Sequence, residues 1–502
     1  MNDATYAFIL KHREDDVRRL ALRGTGRLDV DMPLALQQIA GWQVARRKVP
    51  TWAANDSILY PPHLNMEQCS SEATARYKGL LLAANSPLQA TNSPLQPPPT
   101  GGGFVDLTGG WGVDFFFMAG AANEPQEPQK PQEPQKPQQP QEPQQSQKPQ
   151  EPQEPQQPQP PTYVEQNAEL CELARHNFRV LGLKCRVVCG SAADVLPTLP
   201  HVACIYLDPA RRDEHGGRTY ALKDCTPNVL QLLPLLSEKA DHIILKLSPM
   251  LDWHQAVEEL NAAAQREAEE DSAGKPPSAV AHAVHIVSVG NECKELIVEV
   301  RGATCDARDS FEVRGARCEV RDSFEVRRAT CDARDYIRVH CVNILPEGAT
   351  QHFSYLAPRT SHLETKEQKA SPSRGRLEGA VGSPFLYEPN ASIMKAGCFD
   401  EMANFYHVRE ISRNSHLFVS DQEVKDFPGR SFHVEQVCSM NKRELKEALR
   451  GMDQANITTR NFPMSVAELR KRLRLKDGGD CYIFATTAAD GSHQLYICRK
   501  IV

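Results

Sequence analysis

Apolar residues recur at three- and four-residue spacing along the first part of the chain. DVRRLALR, PLALQQIAGWQVARRK and SSEATARYKGLLLAA each gather them on one helical face, and Tyr60-Pro61-Pro62 interrupts the pattern. Residues 1 to about 83 are therefore expected to be helical. The period then changes. In GGGFVDLTGGWGVDFFFMA a short apolar strand ends at Asp106, a Gly-rich turn runs from Thr108 to Gly112, and an apolar helix begins. Such a turn lets the backbone approach a ligand beneath helix N-terminal N–H groups, although it also serves as a plain tight connection. TYVEQN reads as the next strand, ending in Glu165. NAELCELARHNFRVLGL is an amphipathic helix, CRVVCG a strand, and Gly190 to Asp194 a turn carrying a carboxylate. The strand ACIYLDPARRD, a helix around NVLQLLPLL, the strand HIILKLSP and the charged helix WHQAVEELNAAAQREAEE follow. HAVHIVSVG and KELIVEV close the series as a hairpin across Gly290-Asn-Glu-Cys. Strands alternating with helices predict an α/β fold, an open parallel sheet with helices on both faces.

A length of 502 residues implies about two to four domains. With 58 Lys+Arg against 64 Asp+Glu, the net charge of -6 excludes a wholly cationic polyanion binder, so nucleic-acid contact needs a local basic patch. The absence of an apolar run of about 18 residues excludes a membrane helix. The opening MNDATYAFILKHREDD lacks the features of a signal peptide. A soluble, cytoplasmic protein is expected. Its fifteen cysteines contain no C-x-x-C pair, and Cys185 and Cys189 have no second pair nearby, so reduced thiols and no metal are expected.

Roughly a third of the 37 prolines fall in 124–161, a tract written almost entirely in Pro, Gln, Glu and Lys. It has too little apolar surface to offset ordering entropy and is expected to be an extended, disordered insertion. A ligand for an SH3-like partner is the functional alternative. Asn85-Ser-Pro-Leu-Gln recurs from Asn92, and three 13-residue units follow in tandem from Arg301, Arg314 and Arg327. Cys305, Cys318 and Cys331 are one position copied three times. Short duplications have lengthened this chain, and they are set aside before motif distances are measured. Asp106 and Glu165 are 59 positions apart, and 21 remain once the 38 residues of 124–161 are removed. About twenty is the βαβ distance at which a carboxylate reaches a ribose hydroxyl.

Two ligands compete for that sheet. A nicotinamide enzyme needs G-x-G-x-x-G against the pyrophosphate, and that spacing is absent from D-L-T-G-G-W-G. A carboxylate ending the first strand would repel a pyrophosphate but suits the amino group of a methionine-like tail. Asp106 is assigned to the amino-acid end, Glu165 to the ribose hydroxyls and Asp194 to the adenine amino group. The set fits S-adenosylmethionine better than NAD.

Several strings carry a resemblance. They are EQCSSEATARYKG (67–79), VDLTGGWGVD (105–114), YVEQN (163–167), LDPARRD (207–213), LSPMLD (247–252), SVGNECKEL (288–296), YEPNASIMKAG (387–397) and NSHLFVSD (414–421). The chain resembles a bacterial class I S-adenosylmethionine-dependent methyltransferase family with a ferredoxin-like and a C-terminal THUMP-like domain. The resemblance implies a Rossmann-like class I methyltransferase sheet with an N-terminal helical region and small α+β C-terminal domains. The expected divisions are 1–98 helical, 99–300 methyltransferase, 301–383 a duplicated, low-complexity connection, 384–428 ferredoxin-like and 429–502 THUMP-like. S-adenosylmethionine contacts are expected from Asp106, Thr108, Gly110, Gly112, Glu165, Gln166, Asp194 and Asp208. RNA is the partner the resemblance implies.

Asp208-Pro209-Ala210-Arg211 follows the fourth strand, where this fold keeps the groups beside the transferred methyl. Asp208 is the candidate for orienting or deprotonating the nucleophile, with Pro209 and Arg211 in the same turn. A strand-end turn acid is the plainer reading of Asp208. Arg212 and Lys246 are candidates for substrate contact, since an arginine there could grip a phosphate or stack on a base. Asp224 and Ser70-Ser-Glu72 are further candidates, though helix capping alone accounts for the serines. From Arg430 to Val502, 13 Lys+Arg stand against 8 Asp+Glu, and Arg470, Lys471 and Arg472 concentrate that charge on one helix, suited to phosphates or simply to solvent. Helical and basic ends would then grip RNA. The alternatives are an NAD-linked Rossmann oxidoreductase and a non-catalytic RNA-binding protein with a vestigial methyltransferase fold.

Overall fold

The computed structural model describes residues 1–23, 29–84, 103–123, 159–210, 222–270, 279–302, 336–359 and 383–501. The Arg211–Arg212 pair, most of the proline tract and most of the tandem units lie outside the described residues; of the units only 301–302 and 336–339 are described. Chain contacts divide the molecule into two compact units: Met1–Leu207 with Glu238–His242, and Asp208–Ser237 with Ile243–Val502.

The first unit begins with six helices: α1 (Asp3–His12), α2 (Val17–Arg23), α3 (Met32–Lys48), α4 (Pro50–Ala53), α5 (His63–Gln68) and α6 (Glu72–Ala84). The predicted break at Tyr60-Pro61-Pro62 falls between α4 and α5. Asp31 caps α3 by accepting from Leu34 N, and Pro33 sits in its first turn, where its missing N–H costs nothing. A small core of Phe8, Ile9, Leu20, Val30, Ala35 and Ile39 holds α1 to α3 together.

The alternating part follows as β1 (Phe104–Asp106), α7 (Val113–Asn123), β2 (Thr162–Glu165), α8 (Ala168–Val180), β3 (Arg186–Cys189), α9 (Ala192–Val195) and β4 (Val202–Leu207). β1 pairs in parallel with both β2 and β4, and β2 with β3. Asn167 starts α8 by accepting from the N–H groups of Glu169 and Leu170. That helix then buries Leu170, Cys171, Ala174, Asn177 and Phe178 at the spacing of one face.

α10 (Val229–Lys239), β5 (Ala240–Leu247), α11 (Trp253–Glu270), β6 (Ala279–Val289) and β7 (Glu292–Gly302) continue the chain, and the last two strands form the expected antiparallel hairpin. Two more strands, β8 (Tyr336–Ile344) and β9 (Thr350–Pro358), lie inside the stretch 301–383 expected only to connect. Strand order is β3-β2-β1-β4-β5-β7-β6-β8-β9. β8 runs parallel to β6 and β9 antiparallel to β8. β8 alternates in burial over its first half and is buried through its second, its first four residues belong to the third duplicated unit, and a polar Ser/Lys/Arg/Gly stretch follows β9.

The rest of the second unit comprises β10 (Phe385–Pro389), α12 (Ala391–Ala396), α13 (Phe399–Tyr406), β11 (Arg409–Glu410), β12 (Phe418–Ser420), β13 (Gly429–Ser439), α14 (Lys442–Ala448), β14 (Asn456–Arg460), α15 (Val466–Leu473), β15 (Cys481–Thr487) and β16 (His493–Lys500). Its strands form one sheet in the order β11-β12-β10-β13-β16-β15-β14. The two C-terminal domains expected from the sequence therefore share a ladder, with Phe385 to Pro389 paired to His433 to Gly429. Among the described residues no helix is long and apolar enough to cross a membrane, and no group of three or more His, Cys, Asp or Glu is placed to hold a metal ion.

Glu388 sits at that junction, 3 % exposed. Its Oε2 accepts from Arg430 Nε at 2.8 Å and from Arg430 Nη2, and its Oε1 accepts from Arg460 Nη2 at 2.9 Å. A buried carboxylate needs such partners to offset its lost hydration. Replacing it leaves two guanidiniums facing one another, each about one third exposed and so partly screened. Glu388→Gln is expected to cost about 2 kcal/mol, read from the urea midpoint of the intact chain.

Candidate active site

The Gly-rich turn links β1 to α7, and its shape follows from its neighbours. Gly110 and Gly112 have φ of +56° and +92°, a backbone region costly to residues with a Cβ. Tyr163 of β2 lies under Gly109 and Phe178 of α8 under Gly112. A Cβ on Gly109 would overlap the Tyr163 ring, and one on Gly112 would come within 2.6 Å of Phe178 Cζ. Gly110 differs, because a Cβ there would meet nothing nearer than the Thr108 carbonyl at 3.9 Å. Its open side is where a ligand could approach the backbone. Below the turn, Phe115, Tyr163 and Phe178 pack with ring centroids 5.2 to 5.5 Å apart, and all three are fully buried.

Hydrogen bonds fix the turn from both strands. Asp106, 1 % exposed, accepts from Thr108 N at 2.8 Å, closing the first step after β1. Glu165, half-buried at the end of β2, accepts from Gly110 N at 2.9 Å through Oε2 and from Asn167 N at 2.8 Å through Oε1. Each carboxylate oxygen has a second lone pair, so Glu165 keeps acceptor capacity for a diol. Tyr163 donates its hydroxyl to Gly110 O at 2.5 Å. Burial, and then the charges of Glu165 and Asp106, push that phenol well above its usual range, so it stays a donor. The donor set and the open side of Gly110 fit an adenosyl ligand with a cationic amino-acid tail.

The other predicted residues divide. Gln166 is exposed beside Glu165. Asp194 is exposed in the first turn of α9, and its Oδ2 accepts from the capping Ser191 hydroxyl at 2.6 Å, so helix capping is part of its role. In the second unit, Asp208 follows β4 directly, with Pro209 buried behind it. Lys246 of β5 donates to Asp208 Oδ2 at 2.5 Å, its side chain 11 % exposed. The lysine expected to meet substrate is thus joined to the expected catalytic carboxylate. Ala210 bridges to Thr226, and Asp224 is exposed in a short 3-10 turn.

Ser70, a capping candidate in sequence, lies in a different arrangement. Its Oγ donates to Asp114 Oδ2 at 2.8 Å, Tyr206 donates to the same oxygen at 2.7 Å, and the fully buried Lys78 stands 3.1 Å from Asp114 Oδ1. The sequence reading assigned no role to Asp114, Lys78 or Tyr206. The available signal was Lys78 itself, which falls on the stripe that α6 buries through Ala75, Gly79 and Leu82. Ser71 does behave as a helix-start residue, accepting from Thr74 N. Burial pushes the Glu72 carboxyl up, but hydrogen bonds from Thr51 and Arg76 outweigh it and hold the group below its usual range.

At the other end of the chain, Ser465 and Glu468 form a reciprocal capping box that starts α15. Arg470 is largely committed, donating to Ala455 O at 3.0 Å and pairing with Asp477 at 2.6 Å. Lys471 and Arg472 are exposed.

This strand order, with acidic strand ends beside a Gly-rich turn, defines a Rossmann-like class I methyltransferase fold. Residues 429–500 match the family model for a THUMP domain-like region and residues 385–428 the model for a ferredoxin-like domain. The chain is similar over 99 % of its length, at 25 % identity and a TM-score of 0.68, to the crystal structure of a "putative methyltransferase from Porphyromonas gingivalis W83", covering 98 % of that chain. Looser overlaps, too weak to inform the site, include an O-methyltransferase from Bacillus cereus in complex with SAH (12 % identity, 52 % of this chain and 90 % of that one, TM-score 0.28). Another is a SAM-dependent methyltransferase from Agrobacterium tumefaciens (14 %, 45 % and 60 %, TM-score 0.26). No curated protein matches the sequence.

The two glycines should respond differently to alanine. Gly112→Ala combines a positive φ with a clash against Phe178 and is expected to lose roughly 3 kcal/mol of stability. Gly110→Ala has room and should lose about 1 kcal/mol. Chemical denaturation of the two variants side by side distinguishes them.

Proposed function

We propose that the protein is an S-adenosylmethionine-dependent methyltransferase acting on RNA. The observation that carries the reading is the Gly-rich turn after β1, open at Gly110 and joined through Gly110 N to the carboxylate that ends β2. In this reading Asp106, Thr108, Gly110, Gly112, Glu165 and Gln166 hold the cofactor, with Asp194 toward its adenine and Asp208 at its methyl end. The cofactor supplies an electrophilic methyl on a sulfonium. Asp208 accepts a hydrogen bond from the attacking group and takes or passes on its proton. Lys246, bonded to the same carboxylate, keeps it in one orientation, while Pro209 stiffens the turn. Arg211 and Arg212 follow Asp208 in sequence and are assigned to substrate phosphate or base. The RNA assignment is supported by the THUMP-like match and by the exposed Lys471 and Arg472 on a segment with five more basic than acidic residues.

Incubation of the protein with radiolabelled S-adenosylmethionine and either total RNA or protein, from cells lacking the gene, tests substrate class, and label in protein alone overturns the RNA assignment. Calorimetry with S-adenosylhomocysteine and with NADH tests the cofactor, and binding of NADH alone sinks the reading. Asp208→Ala is expected to slow methyl transfer by about 10²- to 10⁴-fold while leaving S-adenosylhomocysteine affinity within about twofold. Asp106→Ala should weaken that affinity about tenfold or more, a loss of roughly 1.4 kcal/mol. Equal losses of affinity in the two variants would contradict the division of roles. Lys471→Glu with Arg472→Glu should weaken RNA binding and flatten its salt dependence, without changing cofactor affinity.

A further inference from the structure

The N-terminal region holds the Gly-rich turn at Trp111 and at the start of α7, through contacts that the proposed chemistry leaves unused. At Trp111, the partner is Leu59, in the stretch between α4 and α5. Asn177 of α8 brackets its peptide groups, accepting from Leu59 N at 2.9 Å and donating to Leu59 O at 2.9 Å. Trp111, a residue of the turn itself, donates Nε1 to that same oxygen at 3.2 Å. Gln38 brackets Tyr60 in the same way, accepting from its N–H and donating to its carbonyl, both at 2.9 Å. Trp111 is 2 % exposed and packs edge-on against Trp52, with ring centroids 4.8 Å apart.

At the start of α7, Asp114 receives Ser70 and Tyr206 and pairs with Lys78. Lys78 also donates to Ser70 Oγ at 3.2 Å. A buried ammonium–carboxylate pair recovers little net stability, but a hydrogen-bonded polar network favours one arrangement over its alternatives. A turn with two glycines at positive φ has many alternatives to exclude.

We infer that the N-terminal helical region is the positioning scaffold of the cofactor turn. Leu59, Asn177 and Trp111 fix its middle, and Ser70, Lys78 and Asp114 fix the start of α7. The turn is thereby set in its binding shape before any ligand arrives, which lowers the ordering cost of binding. These are positioning residues that act through the backbone of Gly109 to Gly112. The identity of the ligand rests on the methyltransferase reading, whereas the scaffold itself does not.

Hydrogen exchange of the ligand-free protein, followed by mass spectrometry over residues 106–114, reads the turn directly. Asn177→Leu removes both bonds to Leu59 without adding charge. Ser70→Ala removes one hydroxyl, leaves the Lys78–Asp114 pair in place, and serves if Asn177→Leu does not fold. Either folded variant is expected to exchange the turn amides at least tenfold faster, with segments of the C-terminal sheet unchanged. S-adenosylhomocysteine affinity should fall about tenfold while RNA affinity stays within twofold. Wild-type exchange over 106–114 in a folded variant overturns the scaffold. A wild-type protein that fails to bind S-adenosylhomocysteine overturns the methyltransferase reading instead, and the exchange result still decides the scaffold.

Discussion

The Gly-rich turn of the candidate site depends on two aromatic rings that occupy the space a side chain would need. Tyr163 and Phe178 lie so close to the Gly-rich turn that a Cβ at position 109 or 112 would overlap their rings. Because the turn has no side chains on that side, it sits low over the strand ends, and Glu165 can reach Gly110 N. The carboxylates of β1 and β2 then close the turn, Asp106 through Thr108 N and Glu165 through Gly110 N. The rings belong to the elements that the alternating pattern predicts, so the shape of the candidate binding edge follows from how β2 packs against α8.

The central alternation of strand and helix was legible in the sequence because each element there has one buried face and a clean period. The distance from Asp106 to Glu165 was legible only after 124–161 was set aside. β8 and β9 were not, because β8 begins inside the last copied unit, its alternation is short, and a polar stretch follows β9. Nor was the Lys78–Asp114 pair, whose partners lie on two different helices. Such a contact leaves no periodicity, only the oddity of a lysine on a buried stripe. The pairing of Lys246 with Asp208 has the same origin, since adjacent strand ends meet although 38 positions separate the residues. Position along the predicted strands marks both as candidate site residues, but only the folded chain joins them.

The C-terminal part shows how a family match and a folding unit differ. Two separate models meet between residues 428 and 429, yet β10 and β13 pair directly across that boundary and Glu388 joins Arg430 and Arg460 beside it. A cut there would expose two long strand edges and strand a buried carboxylate. The ferredoxin-like and THUMP-like segments are better treated as one sheet.

Asn123 ends α7 and Thr162 begins β2, so the proline tract enters at the amino end of a parallel strand, whereas Glu165 and the Gly-rich turn lie at its carboxyl end. Each doubling of a flexible connection costs only about 0.6 kcal/mol of closure entropy. This gap is therefore a place where a copying error of many codons passes nearly unnoticed by the folded protein. Relatives of this chain should differ in length here more freely than anywhere between Thr108 and Asp114, where adding a single residue would shift the glycines off the rings beneath them.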